Sequence, residues 1–301
     1  MALDLAILYR GPLSSCNYDC AYCPFAKRRE SAAELAAGRR ALERFVDWVA
    51  ARPAGDRLAV FFTPWGEALV RRWYRDALVR LTALPQVWRA AAQTNLACGL
   101  EWVERCDKAK LALWATYHPT QVGRTAFVAK CRDLDRGGVR FSVGVVGLRE
   151  HFAEIAALRR ELPPYVYVWV NAYKDRADYY GPAETDWLTD IDSFFPFNNR
   201  RHPSRGRACR TGHTVVSVDG DGTVRRCHFV REPLGNLYEP EWERVLAPRP
   251  CPNATCGCHI GYVHMPELGL YERFGDGVLE RVPLPVVGNE QASPPVAAGG
   301  S

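Results

Sequence analysis

The chain has 301 residues, 48 % hydrophobic and 24 % charged, with a formal net charge of +5. That length suits one large barrel or two domains, and the composition excludes collagen-like and wholly disordered chains. No run reaches the ~18 apolar residues of a membrane span, and MALDLAILYRG lacks a basic leader before a long apolar stretch, so a cytoplasmic protein with no membrane partner is expected.

Leu3 to Tyr9 reads as a first strand that Arg10-Gly11-Pro12 breaks into a cysteine-bearing loop. A helix is expected from Glu34 to Val49, with Leu35, Leu42, Phe45, Val46 and Val49 as its buried stripe. Leu58 to Phe62 is a second strand, Ala68 to Leu84 a helix, and Val87 to Gln93 a third strand. A short helix at Glu101 to Cys106 precedes strand Leu111 to Thr116; the helix Ala126 to Asp135 stops at Gly137-Gly138. Strand Val139 to Val146, helix Phe152 to Leu162, strand Tyr165 to Val170 and helix Glu184 to Phe194 follow.

Six strands, each followed by helix or loop, predict a parallel α/β fold, and periodicity alone leaves a barrel and an open doubly wound sheet equally open. In both, ligands gather at the carboxyl ends of the strands. After Arg200 the pattern changes. Two alternating runs joined by Asp219-Gly220-Asp221-Gly222 predict a β-hairpin. The expected division is 1–200, 201–265 and, beyond Glu280, a Pro/Val/Gly/Ala-rich stretch expected as a disordered tail over 281–301.

The chemistry begins at Cys16-Asn-Tyr-Asp-Cys20-Ala-Tyr-Cys23. Eleven cysteines in a reducing compartment point to metal ligation before disulfides. At that frequency the C-x3-C-x2-C spacing would arise by chance about 0.015 times in this chain. Three thiolates can close on one inorganic cluster, and because four would saturate a [4Fe–4S] cubane, three leave one iron open. A three-cysteine zinc knuckle and a ferredoxin-type electron carrier are the bland alternatives. The residues resemble the radical S-adenosylmethionine (SAM) superfamily, whose CxxxCxφC loop carries an aromatic residue at φ, here Tyr22. The stretch RGPLSSCNYDCAYCPFAK, with CGCHIGYVHM further on, also resembles one bacterial group of radical SAM proteins. The resemblance implies a partial (β/α)6 barrel of TIM type, a [4Fe–4S] cluster on Cys16, Cys20 and Cys23, and SAM chelated to the open iron.

Further roles come with the resemblance, residue by residue. Gly66-Glu67 follows the second strand where the family has a GGE-type motif binding the SAM amino group; Trp65 replaces its first glycine. Gly66 permits close backbone approach, and Glu67 can accept a hydrogen bond from an ammonium. Asn95 and Thr116, at the ends of the third and fourth strands, are candidates for the ribose hydroxyls or the methionine carboxylate, against ordinary strand-end capping. Val143 to Glu150 is similar to the family's GxIxGxxE pattern, with Val143 where the first glycine is expected. Val145 and Gly147 would pack the adenine, while Glu150 alternatively just favours a helix N-terminus. Asn171 would offer backbone polar groups to the adenine. His118 and Lys174 are the candidates for direct work on a substrate, although a lone histidine is more often structural. Cys98, Cys106 and Cys131 lack ligand spacing and read as small buried hydrophobes.

The hairpin would bring Cys209 and Cys227 together, and Cys251, Cys256 and Cys258 follow. This arrangement resembles the twitch/SPASM extension of radical SAM enzymes and implies a second, auxiliary [4Fe–4S] cluster, completed by two of the last three cysteines. Structural zinc, with His259 as a ligand, is the alternative. Arginines 200, 201, 205, 207, 210, 225, 226 and 231 bracket these cysteines and would compensate thiolate charge, so a nucleic-acid partner is not expected. The resemblance implies an oxidoreductase or maturase acting on a peptide or small natural-product precursor, fed electrons by a flavodoxin or ferredoxin.

Overall fold

The computed structural model describes residues 2–25 and 28–285. Its first six strands are β1 (Asp4–Tyr9), β2 (Arg57–Phe62), β3 (Val87–Thr94), β4 (Leu111–Tyr117), β5 (Arg140–Val146) and β6 (Val168–Asn171). Between them run α1 (Ala32–Ala50), α2 (Arg72–Thr82), α3 (Arg124–Arg136) and α4 (Phe152–Glu161); α5 (Pro182–Ile191) follows β6. All neighbouring pairs from β1 to β6 are parallel and lie in sequence order. A doubly wound sheet reverses its strand order at a switch point; this sheet has no reversal among those strands. Right-handed crossovers then place every helix on one face, and the sheet curls to bury the other. The partial (β/α)6 barrel is the architecture observed, and it stays open.

Local signals set the boundaries. Ser31 begins α1 with a reciprocal cap: its Oγ accepts the Glu34 N–H at 3.2 Å, and the Glu34 carboxylate accepts the Ser31 N–H at 2.8 Å. The helix therefore starts ahead of the expected Glu34, and Leu42, Phe45, Val46 and Val49 are its buried residues. The second helix starts later than expected, at Arg72 instead of Ala68, because the Leu69 N–H donates to the Glu67 carboxylate at 3.0 Å.

Alternate residues divide the packing. Ile7, Val60, Ala92, Leu113 and Val145 join the helix-side core, where Tyr9 stacks on Phe45 at 4.5 Å. Leu8, Phe61, Ala91, Trp114 and Trp169 face inward. Trp114 and Trp169 meet edge to face at 5.0 Å, a geometry favoured by the ring quadrupole.

The C-terminal region is joined to this sheet. Strands β8 (Val215–Val218) and β9 (Thr223–Arg225) form the expected hairpin, and β10 (Pro233–Asn236) adds to it. Strand β8 lies parallel to β1, from Ala6↔Val215 to Tyr9↔Val218. The region from 201 onward thus continues the barrel sheet to nine strands. Short β7 (His202–Pro203) and β11 (Thr255–Cys256) pair separately.

The expected tail begins at Arg281, which is packed inside together with the preceding Glu280. Glu280 and Arg281 are fully buried beneath the inner face, beside Leu279. The Glu280 carboxylate lies 2.7 Å from Arg140 Nε and 3.6 Å from Arg89 Nε, and its carbonyl accepts Ser142 Oγ–H at 2.7 Å. The Arg281 guanidinium sits 4.7 Å from the Trp169 ring and 3.8 Å from Asp192. Long-range pairing keeps these residues inside despite their lack of periodicity. The remainder of that expectation, 286–301, lies outside the described residues.

Candidate active site

The cysteine loop leaves the carboxyl end of β1 through Gly11, whose φ of 56° is a left-handed conformation natural to glycine. The Glu30 carboxylate holds the loop backbone, accepting the Ser14 and Ser15 N–H groups at 3.2 and 3.1 Å. Gly66 and Glu67 pair with the same segment, their N–H groups donating to Leu13 O at 3.2 Å and Ser15 O at 3.1 Å. A Cβ on Gly66 would stand 2.0 Å from the Ser15 carbonyl oxygen. The close approach expected at Gly66 is thus to the cysteine loop itself. Trp65, at the glycine position of the family pattern, stands at the rim between Phe25 (4.4 Å) and the Arg10 guanidinium (4.0 Å).

Cys16 is half-buried, and its sulfur accepts the Tyr18 N–H at 3.4 Å and meets Asn95 Nδ2 at 3.9 Å. Burial pushes its thiol up, and the Tyr18 N–H offsets part of that. Asn95 also donates to Asn17 Oδ1 at 3.0 Å. Cys20 is buried, with His118 Nδ1 3.4 Å from its sulfur. Tyr22 Oη lies 2.9 Å from the same nitrogen, and the Cys23 N–H donates to Cys20 O at 3.0 Å. Burial pushes the His118 ring down to about 4. The loop is further clamped by Gln121, which accepts the Asp19 N–H at 2.9 Å and donates to Asp19 O at 3.4 Å.

Glu67 is buried, and three donors meet its carboxylate: Leu69 N–H at 3.0 Å, Thr94 Oγ–H at 2.8 Å and Asn95 N–H at 2.6 Å. Burial pushes its carboxyl up to about 7 against those bonds. A carboxylate has about four acceptor positions, so one remains for an external donor. Leu96, next to Asn95, adopts a φ of 56°. That strain in a residue with a Cβ costs of order 1–3 kcal/mol, a cost that clusters at functional sites.

The other expected residues fall differently. Thr116 shares the inward side of β4 with Trp114, and Gly144 pairs with it across the sheet. The Val145 side chain packs among the helix-side core, so the inward position at that strand end belongs to Val146. Gly147 is required by neighbours, since its Cβ would lie 2.8 Å from both Tyr180 Oη and Val170 Cγ1. Glu150 is exposed on a single 3-10 turn, and Asn171 ends β6 with its carbonyl accepting the Gly147 N–H at 2.9 Å. Lys174 donates to Asn198 O at 2.5 Å and to Gly257 O, and burial brings its ammonium down to about 8.

The five later cysteines are electrostatic neighbours through Cys256. Burial pushes the Cys256 thiol up to about 12, with Cys227, Cys258, Cys209 and Cys251 adding to the shift. Burial likewise raises Cys227 to about 11, with Cys209 and Cys251 contributing. Cys258 is exposed, and beyond Cys256 its charged neighbours are Lys174, Arg10 and Arg281. His259 turns away, packed at 5.4 Å from both Trp114 and Tyr262 in the interior. The Arg226 guanidinium, buried beside Cys227, spends its Nη donors on Pro250 O and Arg249 O at 2.5 and 3.0 Å. Cys98, Cys106 and Cys131 are core residues, as expected, and none of the described cysteines is in a disulfide.

Among the described residues no three His, Cys, Asp or Glu side chains converge on a single metal ion. The donor sets are all thiol and all outside disulfides, the donor chemistry that an iron–sulfur cluster takes.

No family model matches the chain, and no curated protein matches it. Among solved structures, native anSMEcpe with bound AdoMet and a Cp18Cys peptide is similar, with a TM-score of 0.51 and 16 % identity, over 80 % of this chain and 81 % of that one. Polyhistidine-tagged anSMEcpe with bound AdoMet matches with a TM-score of 0.51 and 15 % identity, over 80 % and 78 %. At such identities the likeness is one of fold. This chain has the partial-barrel fold of proteins whose structures hold AdoMet, and its cysteine loop leaves the end of the first barrel strand.

Proposed function

We propose that the protein is a radical SAM enzyme whose first [4Fe–4S] cluster is held by Cys16, Cys20 and Cys23. One observation carries this reading: the C-x3-C-x2-C loop is fastened by its neighbours at the carboxyl end of β1, in a fold shared with AdoMet-holding structures. When bound, the cluster supplies one electron for cleavage of SAM to methionine and a 5′-deoxyadenosyl radical that abstracts hydrogen from the substrate. The chain's own residues then bind and orient. Glu67 offers its remaining acceptor position to the SAM ammonium, and Thr116 and Val146 line the inward side toward the nucleoside. Cys209 and Cys227, with two of Cys251, Cys256 and Cys258, hold an auxiliary [4Fe–4S] cluster, a reading supported by the electrostatic proximity of these cysteines and by His259 lying away from them.

The substrate class we favour is a peptide, in keeping with the peptide bound to anSMEcpe, and the outcome a net two-electron oxidation or cross-link. A flavodoxin or ferredoxin in the cytoplasm would supply the electron. Anaerobic reconstitution with iron, sulfide, dithionite and SAM tests the proposal: 5′-deoxyadenosine should accumulate in the wild type and be absent from the Cys16→Ala/Cys20→Ala/Cys23→Ala variant. Equal formation by both would overturn it.

A further inference from the structure

Three polar atoms meet beside the cysteine loop: His118 Nδ1, Tyr22 Oη at 2.9 Å from it, and Cys20 Sγ at 3.4 Å. His118 stands just beyond β4, with its carbonyl accepting the Gln121 and Val122 N–H groups at 2.9 and 3.2 Å. Its ring lies parallel to Tyr22, 11° between planes and 6.1 Å between centroids, and edge-on to Tyr18 at 5.8 Å. Tyr22 is flanked on another side by His151, edge-on at 5.4 Å. Two aromatic contacts and one turn thus fix the imidazole, and the Gln121 amide fixes the loop backbone at Asp19. The arrangement determines where hydrogens can go. A thiolate that ligates iron has no proton and can only accept. Tyr22 Oη is also within hydrogen-bond reach of Cys20. With the proton on Nδ1, the Tyr22 oxygen accepts from the ring and its O–H is free to point at the sulfur; with the proton on Nε2, the Tyr22 O–H is drawn to Nδ1 instead. The first arrangement delivers one hydrogen bond to Cys20.

We infer that His118 is a positioning residue that, with Tyr22, places a hydrogen-bond donor on the Cys20 sulfur and so raises the reduction potential of the cluster on Cys16, Cys20 and Cys23. This rests on the cluster assignment above. A hydrogen bond to a ligating sulfur favours the reduced state, which carries the extra negative charge. Sequence alone presents His118 as a candidate for substrate chemistry; the geometry turns it toward the cluster.

The test is potentiometry on the full-length, anaerobically reconstituted protein, following the EPR signal that changes when SAM is added, which separates this cluster from any auxiliary one. In His118→Phe and Tyr22→Phe the reduced-to-oxidised ratio at a fixed potential should fall about tenfold, a downward shift of ~59 mV for one electron. His118→Asn, whose amide N–H can stand in for Nδ1–H, should keep most of the wild-type value. A wild-type midpoint in iron-loaded His118→Phe and Tyr22→Phe would overturn the inference. If His118→Phe takes up no iron, Tyr22→Phe decides alone by the same criterion. Failure of the wild type to load a SAM-responsive cluster would instead defeat the functional reading, before any variant is compared.

Discussion

The missing side chain of Gly66 leaves room for the carbonyl of Ser15, which would otherwise meet a Cβ at 2.0 Å. Both partners are backbone, and neither can turn aside. Gly66→Ala should therefore push the cysteine loop off the end of β2. The expected cost is about 1–3 kcal/mol, or a fall in Tm of several degrees for a chain of this size, with reduced iron uptake at Cys16, Cys20 and Cys23. Calorimetry and iron analysis of the reconstituted variant check this; wild-type values in both would show that the loop can move.

Glu67 predicts a pH dependence of definite sign. Its folded carboxyl, pushed up to about 7 by burial, lies above the ordinary ~4.3. The native state therefore holds its proton more tightly than the unfolded chain does. The associated stability is complete below about 4.3 and is lost as pH rises through about 7, by at most roughly 4 kcal/mol at 1.36 kcal/mol per unit. Glu67→Gln should remove this slope from urea-unfolding curves of the metal-free protein.

The same carboxyl must be ionised to pair with an ammonium. SAM should bind the loaded wild type more tightly at pH 8 than at pH 6, and Glu67→Gln should bind about 10- to 150-fold more weakly, with a flat profile. Identical profiles would remove Glu67 from the SAM site.

The later cysteines separate by iron content. With Cys16, Cys20 and Cys23 all replaced by alanine, about four irons per chain should remain, and further loss of Cys209 or Cys227 should remove them. Of Cys251→Ala, Cys256→Ala and Cys258→Ala in that background, two should lose the iron and one should keep it. One tightly bound zinc and no cluster iron in the triple variant would replace the auxiliary cluster with a structural ion.

Glu280 offers a stability test far from the chemistry. Glu280→Ala leaves two arginines, Arg89 and Arg140, without the buried carboxylate between them. Breaking a buried pair in this way costs about 3–5 kcal/mol, so a large drop in Tm is expected, measurable by calorimetry on the metal-free chain.

Much of the barrel was legible because punctuation marks its joints: Arg10-Gly11-Pro12 after β1, Gly137-Gly138 after α3, and the Asp-Gly-Asp-Gly turn of the hairpin. The assignment of side chains to faces was not. A parallel strand covered on both sides is apolar throughout, so nothing in Phe-Ser-Val-Gly-Val-Val reveals that Val145 meets helices and Val146 does not. Glu280 and Arg281 escaped for another reason. Their partners, Arg89, Arg140 and Asp192, lie far back in sequence, and no local pattern announces a long-range ion pair. Ser31 and Glu34 carry the S-x-x-E pattern of a helix start, which an apolar stripe that begins only at Leu35 does not reveal.

The pairing of β8 with β1 has a consequence for biosynthesis. Strand β1 is made well before β8, and Ala6 meets Val215 only after about 200 further residues have been made. Until then β1 has β2 on one side and an unpaired edge on the other, the kind of edge that recruits foreign strands. The strand that launches the cysteine loop is thus seated last on that side, by the hairpin that carries Cys227. Under the proposed cluster assignment, iron inserted at Cys16, Cys20 and Cys23 before β8 is made would enter a half-built frame, so loading of that site is expected to follow synthesis through Val218.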